Sequence, residues 1–582
     1  MSASTSLTPA MSRLFSRTRN VGEDSDGGIG AMHSVSKVRH MIGQCLNNSM
    51  YRNACTLADL LIQLPDSSTE DILLLGRCFH LSGESRRCLA VLEHHGVLAA
   101  EKISYLSSIL THNLQDEVSA LMNNNSNEGE SELAGLNFTL QVVHMAARCL
   151  YSLNQYEDCV NLLEPLLADG TNETTDNDFS DMMRNDKHTL MIARAQEFCY
   201  LSSSDSDEVN LVASIYCIAG RCFHFLENRP RATALLVNSL RIDGACLEAL
   251  EYILENALLS APEKKSLLDL VCLKDREWLH AHYRFQLLDD WSSFESNEEA
   301  KNEQAHFGRG GKQGGEYVYD MHLSAVYLIN KAERLFDVQH FAEAYKLARQ
   351  AYVLDPFDMR GLHVYIGSMV ELGLKTELFY LSHELINTYP KNPTSWYSVG
   401  CYYWACRKLE HAQKYIQKVI KLDKRASRAW IILGHILAAQ EESEHAISAF
   451  RSASRLLPGD HRPIVFMAKE LVRTNHLSLG LHLLSSALKI SPKDATVHNE
   501  IGVILLKQER LEEALHHLQL AASITYEATG AQDTKMRSSR ACGDEVCITI
   551  PISITKIQWI HFNNYTDILF ATTLLSLLLI GI

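Results

Sequence analysis

Cysteine, histidine and glycine carry most protein chemistry, provided their spacing lets them converge. Fifteen cysteines and 26 histidines are available here. Cys217 and Cys222, Cys401 and Cys406, and Cys542 and Cys547 each stand five apart. The first two pairs fall in expected helices, where that spacing turns the thiols to different faces. His94-His95 and His516-His517 are adjacent and are split in the same way. A glycine-rich run ends in GRGGKQGG, but Gln313 follows Lys312 where a phosphate loop needs Ser or Thr, and no strand precedes it. There is no CxxC, HExxH or GxSxG. The expectation is a protein without catalytic residues, metal or cofactor. Its cysteines read as reduced, buried thiols of a nucleocytoplasmic protein.

Binding chemistry is better represented. Arg360, His363, Tyr397, Trp404, Arg428, His435, Arg462, Lys469, Arg473, Asn499 and Lys507 form a mostly basic series in an otherwise acidic chain of formal charge −16. Such a series suits an extended or helical peptide that carries acids. The overall charge argues against general nucleic-acid affinity, which needs a basic surface.

The elements that would position this series are legible as a repeat. Trp430, Leu433, Gly434 and Leu437 share one helical face; Ala446, Phe450 and Ala453 share another, and Pro458 stops the second helix. Shifted by 34 residues, the proline recurs as Pro356, Pro390 and Pro492. The small residue of the first helix recurs as Ala332, Gly400, Ala468 and Gly502. Its partner in the second helix recurs as Ala344, Ala412, Gly480 and Ala514. Six units in register, from Ala325 to about Ala528, resemble tetratricopeptide repeats, and the fold class expected is an all-α superhelical solenoid. The second unit is weakest, because Ile366 and Leu378 replace its small residues. Repeat arrays bind by shape, in a groove lined by the first helix of each pair. The basic series occupies those positions.

Upstream the pattern loosens. Gly76 precedes Cys88, Ala147 precedes Cys159 and Gly220 precedes Ala232, each by twelve positions, so residues 35–291 read as degenerate helical repeats. Residues 1–34 read as a disordered tail rather than a transit peptide. Asn123–Glu132 and Asp169–Asn185 read as inserted polar loops. Residues 292–315, charged and rich in glycine, read as a flexible linker between two arrays, with the six units at 316–528. Residues 529–582 read as an irregular tail. Its terminal run ILFATTLLSLLLIGI is 15 residues long, short of the ~20 that a spanning helix needs. It is either a tail anchor or an atypical terminus, with the membrane the less favoured partner.

The run from Leu354 to Trp404, LDPFDMRGLHVYIGSMVELGLKTELFYLSHELINTYPKNPTSWYSVGCYYW, resembles the cell-division-cycle-sixteen subunit (subunit six) of the anaphase-promoting complex, or cyclosome. DPF, ELFYLSHELI and VGCYY carry the likeness, which extends over roughly Val35 to Thr525. The resemblance implies a non-catalytic scaffold of a multi-subunit ubiquitin ligase acting in the nucleus and cytoplasm. It also implies homodimerisation through the N-terminal array and a small peptide-like subunit in the C-terminal groove, alongside other subunits of the complex. After Thr525 the sequence departs from the family, whose members continue with further repeats, so full assembly is not implied. The alternative is a generic repeat adaptor, such as a tail-anchored co-chaperone or receptor.

Overall fold

The computed structural model describes residues 28–64, 68–98, 103, 127–167, 210–271, 277–287, 324–337 and 339–537. The chain divides into two compact units at Ala521, and the account below concerns the first. Every regular element among the described residues is a helix.

The C-terminal array consists of the six expected pairs. Numbered in chain order after eleven upstream helices, they are α12 (Ala325–Asp337) with α13 (Phe341–Leu354), and α14 (Leu362–Leu372) with α15 (Lys375–Thr388). There follow α16 (Pro393–Ala405) with α17 (Leu409–Leu422), and α18 (Ser427–Ala439) with α19 (Ser443–Leu456). The last two are α20 (Arg462–Arg473) with α21 (Leu477–Ile490), and α22 (Ala495–Lys507) with α23 (Leu511–Arg537). The small residues stand where the helices press together: Ala332, Ala344, Ala412, Ala446, Ala468 and Ala514 are fully buried. At Gly434 a Cβ would fall 2.7 Å from Phe450 Cδ1. In the weak second unit, Ile366 and Leu378 are also fully buried, so larger side chains replace the small-on-small contact without breaking the pair.

Each first helix ends in the same turn. One residue enters the left-handed region, successively Gln339, Gly373, Arg407, Glu441, Asn475 and Glu509, at intervals of 34. The amide after it reaches back to close the helix, as from Glu442 to the Leu437 carbonyl at 3.0 Å and from Lys408 to Tyr403 at 3.0 Å. Only one of the six is glycine. Packing of the two helices therefore imposes a conformation that side-chain-bearing residues take at a small cost.

The N-terminal array repeats this device. Its helices are α1 (Gly28–Asn47), α2 (Tyr51–Ile62), α3 (Thr69–Leu81), α4 (Ser85–His94), α5 (Asn127–Ser152), α6 (Tyr156–Leu163), α7 (Leu211–Phe225), α8 (Arg229–Ile242), α9 (Leu247–Glu255), α10 (Ala261–Leu270) and α11 (Glu277–Leu287). Ser49, Gly83, Asn154 and Glu227 adopt the left-handed turn, with the same closing bond, for example Glu84 to Phe79 at 2.9 Å. The twelve-residue spacing is a contact: Cys159 Sγ donates to the Ala147 carbonyl at 3.6 Å, and Gly220 lies against Ala232 and Leu236. The thiols pair between helices rather than along them. Cys88 meets Cys149, Cys159 meets Cys222, and Cys217 meets Cys246, all buried.

Three expected boundaries move. Helix α1 begins at Gly28, inside the segment read as tail. Helix α5 begins at Asn127, inside the segment read as loop, and α23 runs on to Arg537, past the expected end of regular structure. At Asn127 and Arg537 the sequence is polar, and at Gly28 two glycines interrupt a short apolar run, so hydrophobic period alone does not find a helix there. The 169–185 loop, the 292–315 linker, Cys542, Cys547 and the terminal apolar run lie outside the described residues.

Candidate functional site

The inner face of the C-terminal array is built by its first helices. From α12, Glu333 accepts a bond from His363 Nε2 on α14 at 2.9 Å and faces Arg428 Nη2 on α18 at 3.7 Å. One turn further along α12, Asp337 meets Arg462 Nη1 on α20 at 2.5 Å. Arg462 also grips Asp460 with two parallel bonds of 2.9 Å. The first unit thus reaches the second, fourth and fifth across the groove. Glu333 and Arg462 remain 37% and 45% exposed, as expected of charges lining a cleft rather than filling a core.

Ionisation follows from this enclosure. Burial pushes the Glu333 carboxyl up, but the His363 hydrogen bond and the charges of Arg428 and Arg462 outweigh it and hold the group down at about 2. Burial, helped by Arg428, takes His363 down to about 4. At neutral pH a neutral imidazole therefore donates to a carboxylate. Asp337 is held up by burial against the pull of Arg462. His435 sits edge-on to Phe466 and Phe450, at 4.5 and 5.2 Å between ring centres. Burial and Lys469 bring it to about 4.

Of the basic series, His363, Arg428 and Arg462 are brought into one network. Lys469 pairs with Glu500 at 3.2 Å, and Arg473 with Glu470 at 2.7 Å. Tyr397 is half-buried between the apolar clusters of the second to fourth units, and Trp404 packs with the fourth. Asn499 is half-buried and Lys507 exposed. Arg360 lies elsewhere: it chelates Asp358 and reaches Glu251 of the N-terminal array at 3.4 Å. The positive charge inferred from the sequence is therefore largely neutralised in place. Glu333, Asp337, Asp460 and Glu500 supply the missing halves. A signal for two of them existed, because Glu333 occupies the repeat position of His435 and Lys469, and Asp337 that of Arg473 and Lys507.

A second set of contacts joins the arrays. Arg425, in the loop before α18, donates to the carbonyls of His224 and Phe225 at 3.2 and 2.9 Å, at the C-terminus of α7. Its guanidinium lies 4.1 Å over the Phe225 ring, which stacks on Tyr156 at 4.4 Å. A cation there satisfies the helix's open carbonyls and its dipole. One repeat later, Gly459 donates to the Ala257 carbonyl at 2.6 Å, and a Cβ on it would strike that oxygen.

The arrangement offers recognition surfaces and, among the described residues, no cluster of metal ligands. The tetratricopeptide-repeat model matches residues 399–461 and 467–528. The chain is 26% identical to the mouse (Mus musculus) cell division cycle protein 16 homolog, over 81% of this chain and 66% of that one. It is 26% identical to subunit 6 of the anaphase-promoting complex from Arabidopsis thaliana, over 85% of this chain and 82% of that one. It thus spans about two thirds of the mouse protein's length. Its fold matches a chain in the crystal structure of the Cut9–Hcn1 hetero-tetramer at a TM-score of 0.59, with 20% identity, covering 85% of this chain and 79% of that one. The chain folds as an all-α solenoid with tetratricopeptide repeats matched at 399–461 and 467–528, and is similar over more than four fifths of its length to the cell-division-cycle-sixteen (subunit six) proteins of the anaphase-promoting complex.

Proposed function

We propose that this chain serves as a non-catalytic scaffold subunit of an anaphase-promoting complex, the ubiquitin ligase that marks cell-cycle regulators for degradation. The observation that carries the reading is the unbroken inner face of six repeats, bridged by Glu333–Arg428 and Asp337–Arg462. A binding groove needs such a wall, and the similarity to subunit-six proteins supplies the complex. In this reading the N-terminal array carries a homodimer contact, and the C-terminal groove holds a small peptide-like subunit. Because the groove's cations already have partners, an entering peptide binds by exchanging its carboxylates for Glu333 and Asp337. The protein works in the nucleus and cytoplasm. No helix among the described residues is long and apolar enough to cross a membrane.

Affinity purification of the full-length chain, with identification of the co-purifying proteins, tests the assignment. Recovery with other subunits of the complex is expected. Recovery alone, or with chaperones only, rejects it. Light scattering on the full-length protein tests dimerisation, and a monomer at micromolar concentration rejects that part.

A further inference from the structure

A concentration of positive charge without carboxylate partners lies on the outer helix of the third pair. Between Arg407 and Arg425 the sequence holds seven cations and two acids. Lys414, Lys418 and Lys421 follow each other at i, i+4 and i+7 on α17, and all three are exposed. Such a row of like charges is unfavourable on an isolated helix. Among the described residues none of the three has a carboxylate within ion-pair distance, whereas Arg428, Arg462, Lys469 and Arg473 on the inner face all do.

Beside this row lies an aromatic surface. Tyr403 stacks on Tyr415 at 5.3 Å and 4°, and Tyr415 on Trp396 at 6.1 Å and 8°. Lys418 Nζ lies 3.0 Å from the centre of the Trp396 ring. Phe379 and Tyr380 continue the surface from α15, and they are 39% and 68% exposed. Phe379 and Tyr380 come from ELFYLSH and Tyr403 from CYYW, while Trp396 and Tyr415 stand on α16 and α17 outside those stretches.

We infer that the α17 face, with its stacked rings and unpaired lysines, docks an acidic protein segment that carries aromatic or aliphatic side chains. Charge complementarity selects acids. The ring geometry selects a peptide over a nucleic acid, because the faces of Tyr415 and Tyr403 are taken up by each other and Lys418 covers Trp396. Bases need open faces to stack on. Ring edges carry partial positive charge and favour carboxylates. The site is separate from the inner groove and does not depend on what that groove binds.

The test uses the full-length protein and a fluorescein-labelled twelve-residue peptide alternating Asp or Glu with Phe and Leu. Its controls are a twin with Lys for every acid and an oligouridylate of similar length. Anisotropy should show the acidic peptide binding at least tenfold more tightly than either control, and more weakly as salt rises. Combined K414E, K418E and K421E should weaken it at least tenfold. The corresponding Gln triple, less disturbing to the fold, should weaken it severalfold. A photo-crosslinker in the peptide should attach within α17, residues 409–422. Unchanged affinity in both triples, attachment to the inner helices, or preference for the oligonucleotide overturns the inference.

Discussion

The amide of Gly459 and the carbonyl of Ala257 form a 2.6 Å hydrogen bond that fastens a loop of the C-terminal array to a loop of the N-terminal one. No side chain fits at Gly459, because the Ala257 and Leu259 backbone occupies the space a Cβ would take. Gly459→Val should therefore part the two loops and cost about 1–3 kcal/mol by overpacking. Urea denaturation followed by circular dichroism measures it. Stability equal to the parent's would show that the loops are not in contact.

Gly434 makes the equivalent test inside a repeat. A Cβ there would run into the Phe450 ring, and Gly434→Leu should cost about 1–3 kcal/mol. Glu441, in the turn that follows, stands at φ 67°. Glu441→Gly should be nearly neutral there, since the relief of strain offsets the added chain entropy. The pair of variants separates helix contact from turn conformation.

The groove predicts opposite effects for its two signs of charge. Neutralising Glu333 and Asp337 together, as Gln and Asn, frees Arg428 and Arg462 and should tighten an acidic peptide severalfold. Arg428→Glu with Arg462→Glu should weaken it and flatten its salt dependence. Titration calorimetry at low and high salt reads both. Equal affinity in the two doubles would show that the peptide does not enter between these residues.

Acid should loosen the fold before its carboxylates titrate. Burial first, with neighbouring cations, holds His144, His224, His363 and His435 at about 4, against roughly 6.5 in an unfolded chain. Between those values the unfolded state binds protons that the folded state refuses, so stability rises with pH and is lost as pH falls from about 6.5 toward 4. Glu255 and Glu371, held above their usual range by burial, act in the opposite sense. His435→Gln isolates the histidine effect: its thermal midpoint should fall less than the parent's between pH 7 and pH 5. Identical slopes would place His435 in water.

The 34-residue period made the C-terminal helices readable because the same small-residue contact recurs, and each recurrence checks the others. The twelve-residue spacing revealed the N-terminal pairs for the same reason, even where Cys88 and Cys159 replace alanine. Helix ends at Asn127 and Arg537 were hidden because polar turns carry no hydrophobic signal, and the start at Gly28 because its glycines read as chain without regular structure. The groove was half-legible. Its cations stood out against an acidic chain, but Glu333 and Asp337 come from a different unit, and only the curvature of the array brings them opposite Arg428 and Arg462. Arg425 gave no sign, since its partners are backbone carbonyls, which any sequence supplies.

Arrays of repeats ordinarily melt like a zipper, each unit held by its neighbours and free to fray from either end. Arg425 and Gly459 join units far apart in sequence. Loss of the N-terminal helices then removes support from the middle of the C-terminal array, and fraying at one end is felt well inside the other. Such long-range closure also slows folding, because chain entropy must be given up before the contact forms.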